Sequence, residues 1–166
     1  VIFPRGMWLT GPIIMKSNIN LHLEEGALVL FSPDFDDYPL IATSFEGLNT
    51  YRCISPIYAK DVENIAFTGT GVFDGNGDAW RPVKRPKMTD AQWKKLLSRG
   101  GVLSDDGQVW YPSEKSKNGD RVKNFNVPSF ETMAEYEEVK DFLRPVMVSI
   151  VSSKKILGWP NFSEFT

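Results

Sequence analysis

The chain has 166 residues, 42% of them hydrophobic and 24% charged, with a formal net charge of −2. That is enough apolar material for one core, in one domain or a piece of a larger one. No apolar run approaches a membrane span, the near-neutral charge gives no nucleic-acid signature, and a single cysteine, Cys53, excludes an internal disulfide framework.

The first strand-like runs are Ile13-Ile14, Ile19 to Leu23 and Ala27 to Phe31, separated by Lys16-Ser17-Asn18 and Glu24-Glu25-Gly26. Asn and Gly at such corners suit left-handed or tight backbone turns. Ile19, Leu21 and Leu23 alternate with Asn20 and His22, which predicts one buried and one wet face. A denser version follows in residues 57–77. Ile57 to Ala59, Ile65 to Phe67 and Val72-Phe73 recur every seven or eight residues between polar or glycine corners. Strands this short, without two-residue hairpin turns between them, bury a face when the chain coils and each strand stacks on its counterpart one coil away. The expected fold is all-β, a right-handed parallel β-helix. The expected organisation is one incomplete domain: coils at 1–80 and 144–157, an insertion at 81–143 and a divergent tail at 158–166.

The rhythm stops at Arg81. Thr89-Asp90-Ala91-Gln92 followed by Trp93, Leu96 and Leu97 predicts a capped helix that stops at Gly100-Gly101. Ser104 to Asn126, rich in Gly, Ser, Asn and Asp, predicts loop. A second helix is expected from Ser129 to about Phe142, with Met133, Tyr136, Val139 and Phe142 on one face. Strand rhythm returns at Val146 to Val151 and at Ile156-Leu157.

Charge follows the same division. Residues 1–80 hold 4 Lys and Arg against 10 Asp and Glu, whereas residues 81–123 hold 11 against 5. The basic block also carries aromatics. Cations draw in a polyanion and aromatic faces carry rings, so Trp80, Arg81, Lys84, Arg85, Trp110 and Tyr111 are the candidate substrate-binding residues. Two plainer readings stand beside this: a solvated loop, and tryptophans that pin the insertion to the body of the protein.

Several stretches resemble glycoside hydrolase family 28, the polygalacturonases, and its bacterial exo-acting branch in particular. They are Pro4 to Ile19, Ala27 to Pro39, Ser55 to Ala59, Gly69 to Gly77 and Leu143 to Val148. The resemblance implies hydrolysis of α-1,4-galacturonosidic or related pectic linkages, with inversion and without metal or other cofactor. The partner it implies is an acidic pectic polysaccharide or oligogalacturonide, met in the periplasm or after secretion. In such chemistry one carboxylic acid protonates the departing oxygen while carboxylates activate a water.

The family supplies these groups from an Asn-x-Asp, an Asp-Asp, a Gly-His-Gly and an Arg-x-Lys on coils expected beyond this sequence, so no catalytic residue is assigned. Asn118-Gly119-Asp120 reads as a turn, and Asp36-Asp37 and Asp105-Asp106 read as look-alikes. His22, the only histidine, lies between leucines. One histidine and one cysteine make a zinc site an unpromising reading.

Val1-Ile2-Phe3 resembles the tail of a strand, and the stretch after Leu157 departs from the family. Asn161-Phe162-Ser163 matches a glycosylation sequon weakly. The expectation is therefore an N-terminal-side fragment, inactive alone, whose exposed coil ends favour self-association. The alternatives are a non-catalytic carbohydrate-binding β-helix and a structural or adhesive solenoid.

Overall fold

The computed structural model describes residues 1–158 and 161–163. The chain forms two compact units, the first built from Val1–Pro39, Ile54–Asp78 and Pro145–Thr166, the second from Leu40–Cys53 and Ala79–Arg144.

The first unit consists of three parallel sheets, and the chain visits them in a fixed cyclic order. Ile2–Phe3, Asn20–Leu23, Glu63–Gly69 and Lys154–Leu157 are successive neighbours in one sheet. Gly6–Thr10, Ala27–Phe31, Val72–Asp74 and Asn161–Ser163 are neighbours in the next, and Ile13–Ile14, Ile57–Lys60 and Val148–Val151 in the third. Like therefore stacks on like. Val29 lies opposite both Trp8 and Phe73, and Ile57 opposite both Ile13 and Val148. The inward side chains, Leu21, Leu23, Val29, Phe31, Ile57, Ile65, Phe67 and Phe73 among them, make one continuous apolar core. The Phe31 and Phe73 rings stack with centroids 6.2 Å apart.

The corners are backbone devices. Gly69 has φ +92°, and a Cβ there would lie 1.9 Å from the Leu23 carbonyl oxygen, which instead accepts from the amides of Thr70 and Gly71. Only glycine fits that approach. Asn18 and Asn64 also turn through positive φ, and the Asn64 amide donates to Asn18 Oδ1 at 2.8 Å. The first turn leaves an apolar edge open, with Ile2, Met7, Leu9 and Ile14 exposed. Residues 161–163, placed in the divergent tail by the sequence, pair in parallel with Val72–Asp74. Trp159, Pro160 and 164–166 lie outside the described residues.

The second unit begins with an antiparallel hairpin, Leu40–Phe45 with Leu48–Cys53, closed by Glu46-Gly47 at φ +53° and +80°. Positive φ at both central residues is the type I′ geometry that matches strand twist. The sequence groups these residues with the coils, while the fold packs them with residues 79–144. The stretch expected to be loop, Ser104 to Asn126, holds one strand of a small antiparallel sheet and a helix. Val83–Lys84 and Val102–Leu103 flank Val109–Tyr111. Helix α1 spans Asp90–Leu97, α2 Glu114–Asp120 and α3 Met133–Glu137.

Thr89 caps α1 and Thr132 caps α3 through reciprocal bonds with Gln92 and Glu135. The expected second helix is thus shorter, starting after Thr132 and giving way to a 3-10 turn at Lys140–Phe142. Met133 is exposed, whereas Tyr136, Val139 and Phe142 are buried.

Candidate functional site

The basic block is organised by its small sheet. Val83 pairs with Trp110, Lys84 with Val109, and Val102 with Tyr111, so Lys84, Trp110 and Tyr111 lie on adjacent strands. Trp110 is 7% exposed, and its indole N–H donates to the Gly100 carbonyl at 2.7 Å. A Cβ on Gly101 would come within 2.6 Å of the indole, so the glycine a few residues past the end of α1 makes room for this ring. Tyr111 is buried, and its hydroxyl donates to Asp120 at 2.5 Å. Burial first and that carboxylate second push the Tyr111 phenol up to about 12.

Trp80 is 1% exposed at the end of a 3-10 turn, Gly77–Trp80. All three aromatic rings are buried, so none offers an open face to a sugar.

The cations differ among themselves. Lys84 is exposed and has no ion-pair or hydrogen-bond partner among the described residues. Arg85 donates to the Met88 carbonyl at 3.0 Å, pairs with Asp90 and lies over the Trp93 ring at 5.6 Å. It therefore anchors the start of α1. Arg81 is half-buried. Burial and then the Arg81 charge lower the pKa of the Arg144 guanidinium, which places two positive groups near each other.

Lys95 and Arg99, not singled out in the sequence, line a hollow of about 180 Å³ with Met88, Gln92 and Leu96. Their four-residue spacing on α1 and past its end was the available signal.

The acidic look-alikes are occupied elsewhere. Asp105 accepts from Lys117 at 2.9 Å and from Arg121 at 2.8 Å. The Lys117 bond, then the Arg121 charge, hold its carboxyl below the ordinary carboxylate range. Asp106 is lowered too, mainly by the Ser104 hydroxyl. A general acid in glycoside hydrolysis needs the opposite shift.

Asn118-Gly119-Asp120 is not a turn but the last part of α2. Gly119 is there because a Cβ would lie 2.2 Å from Phe142 Cβ. His22 sits within 2.8 Å of the Thr68 hydroxyl on the outer side of its sheet. Among the described residues no cluster of His, Cys, Asp or Glu could hold a metal, and no helix is long and apolar enough to cross a membrane.

No family model matches the chain. It is 33% identical over 112 residues to the exo-poly-alpha-D-galacturonosidase of Dickeya chrysanthemi, a match covering 63% of this chain and 19% of that protein. A hyperthermoactive exopolygalacturonase from Thermotoga maritima superposes with a TM-score of 0.56 at 27% identity, over 97% of this chain and 33% of that one. A family 28 exopolygalacturonase from Yersinia enterocolitica shares the fold, with a TM-score of 0.51 at 19% identity, over 93% of this chain and 27% of that one. The chain thus spans between about a fifth and a third of the length of these relatives. In sequence and in fold it is similar to the polygalacturonases of glycoside hydrolase family 28.

Proposed function

We propose that this chain is the N-terminal-side part of a right-handed parallel β-helix hydrolase that cleaves α-1,4-galacturonosidic or related pectic linkages with inversion. The observation that carries this reading is the 33% identity to an exo-poly-alpha-D-galacturonosidase. Cyclic stacking of three parallel sheets supports it.

The chain's own residues have a binding role in this reading. A polyuronate carries a carboxylate on each ring, so a wall beside it needs unneutralised cations. Lys84 is free to serve, and Arg85 holds the segment that carries both Lys95 and Arg99. Trp80, Trp110 and Tyr111 stiffen the wall from within. No general acid and base pair is assigned here, and the downward shifts of Asp105 and Asp106 are opposite to what a general acid needs. The place of action is the periplasm or the exterior. The open apolar edge at Met7 and Leu9 favours self-association of the isolated chain, measurable by sedimentation.

Two measurements test the reading. The isolated chain should release no reducing ends from polygalacturonate, whereas the full-length protein should release them. Oligogalacturonate affinity should fall with added salt and weaken in Lys84→Ala and Lys95→Ala/Arg99→Ala. A full-length protein that binds pectic chains without cleaving them would overturn the hydrolase in favour of a carbohydrate-binding module.

A further inference from the structure

The hairpin Leu40–Phe45 with Leu48–Cys53 carries a second hollow, of about 440 Å³, with no charged residue in its wall. Ala42 faces Tyr51, Thr43 faces Thr50, and Ser44 faces Asn49 across the two strands, and Tyr136 closes one side. Two hydroxyls of this wall are committed. Thr50 donates to the Pro128 carbonyl at 2.9 Å, and Tyr136 donates to the same oxygen at 2.9 Å. The side chains of Thr43, Ser44, Asn49 and Tyr51 have no hydrogen-bond partner among the described residues. Tyr51 and Tyr136 have ring centroids 5.0 Å apart at 58°. That tilted contact holds the Tyr51 ring in place before any ligand arrives.

These features select a ligand by exclusion and by complement. An anion would find no cation here, and a cation no carboxylate, so a charged group would lose hydration without compensation. Hydroxyl and amide groups each donate and accept, which suits a partner whose own hydroxyls do both. An aromatic face suits the C–H face of a sugar ring. The volume falls within the ~300–1,000 Å³ of small-molecule sites.

We propose that this hairpin hollow binds a neutral pyranose, with Tyr51 as the platform and Ser44 and Asn49, on the same face of the hairpin, as hydroxyl partners. The site is chemically separate from the cationic wall and does not depend on the reading given for it. A protein carrying both would meet charged and uncharged sugars of one polysaccharide at different places.

Calorimetric titration of the full chain tests this, with fully methyl-esterified trigalacturonate and galactotriose as neutral probes and free-acid trigalacturonate as the charged one. The neutral trimers should bind with an affinity that added salt leaves unchanged. Tyr51→Ala should weaken them by about tenfold, and Asn49→Ala by roughly threefold to tenfold. Free-acid binding through the cationic wall should be unmoved by Asn49→Ala.

Since Tyr51→Ala also removes a contact with Tyr136, Ser44→Lys provides an independent variant. It changes an exposed position, fills the hollow and should abolish binding of the neutral trimers. Failure of both neutral trimers to bind overturns the proposal. So does binding that survives unaltered in Asn49→Ala and Ser44→Lys.

Discussion

The two units are stabilised in different ways. In the first, each inward side chain rests on its counterpart from the next turn, so Trp8, Val29 and Phe73 form one column through a sheet. In the second, separate polar ties hold irregular chain. Arg52 alone donates to the Arg144 carbonyl at 2.6 and 3.1 Å and to the Asn126 carbonyl at 2.6 Å, while its guanidinium lies 4.6 Å from the Phe45 ring centre. A stack loses stability through voids that spread along its axis; a tied loop loses it through carbonyls left without a donor.

The largest effect should therefore come from the column. Phe73 is fully buried and touches both Phe31 and Phe67. Phe73→Ala should cost about 3–5 kcal/mol, read as a lower urea midpoint for the first unit. A cost below about 1 kcal/mol would mean that the stack collapses around voids and that the contrast fails.

Arg52→Met tests the other side. Methionine keeps much of the stem but leaves the carbonyls of Asn126 and Arg144 without their donor. Burial lowers the Arg52 pKa, and no carboxylate among the described residues pairs with it, so its worth lies in these bonds rather than in a salt bridge. The expected cost is about 2–3 kcal/mol. It should appear as faster amide exchange at 126–128 and in the hairpin, with the first unit unmoved. Uniform loss of protection in both units would show that they do not melt separately.

The same contrast explains what could be read in advance. The stacked strands were legible because short apolar runs recur at near-constant spacing, and α1 was legible because Thr89 and Gln92 form a capping box. Helix α2 was not, since Glu114 to Asp120 has no apolar stripe: its buried residues are Ser116 and Gly119, the latter against distant Phe142. The hairpin was missed because Glu46-Gly47 lacks the Asn-Gly signal that usually marks a two-residue turn.

At the site, sequence located the basic block but could not tell an open cation from a committed one. Arg85 and Lys84 are neighbours, yet one caps a carbonyl and the other is free. The burial of Trp80 and Trp110 depends on long-range packing that composition does not encode.

Alkali should act on the second unit first. Cys53 is buried, and that burial pushes its thiol up from 9.0 to about 12; Tyr111 is raised from 10.0 to about 12. Between those values the unfolded chain has lost protons that the folded one keeps. Unfolding free energy then falls as pH rises, by up to about 1.4 kcal/mol per pH unit for each group. Below pH 9 the thiol contributes no such slope. Cys53→Ala should flatten the decline between about pH 9 and 12, and the folded protein at pH 8 should resist thiol alkylation. Rapid alkylation without unfolding would contradict the burial.

The smallest effect returns to the stack. Asn18, Asn64 and Lys155 occupy matching positions on three successive turns, as the pairings of Asn20 with Ala66 and of Ile156 with Ile65 require. All three have positive φ, at +65°, +57° and +55°. Asparagine tolerates that region and lysine does so poorly. The two asparagines are joined side chain to side chain, whereas Lys155 reaches Glu63 at 3.8 Å from a largely exposed position, a contact worth little in water. Lys155→Asn should relieve the backbone and extend the amide ladder by one rung. The expected gain is about 0.5–1 kcal/mol, seen as a higher urea midpoint with an unchanged slope. Lys155→Gly separates the two contributions, since it relieves φ but adds no amide. Equal stability in Asn and Gly variants would assign the gain to backbone strain alone. A loss in both would show that the Glu63 contact outweighs the strain and that the corners of the stack are not equivalent.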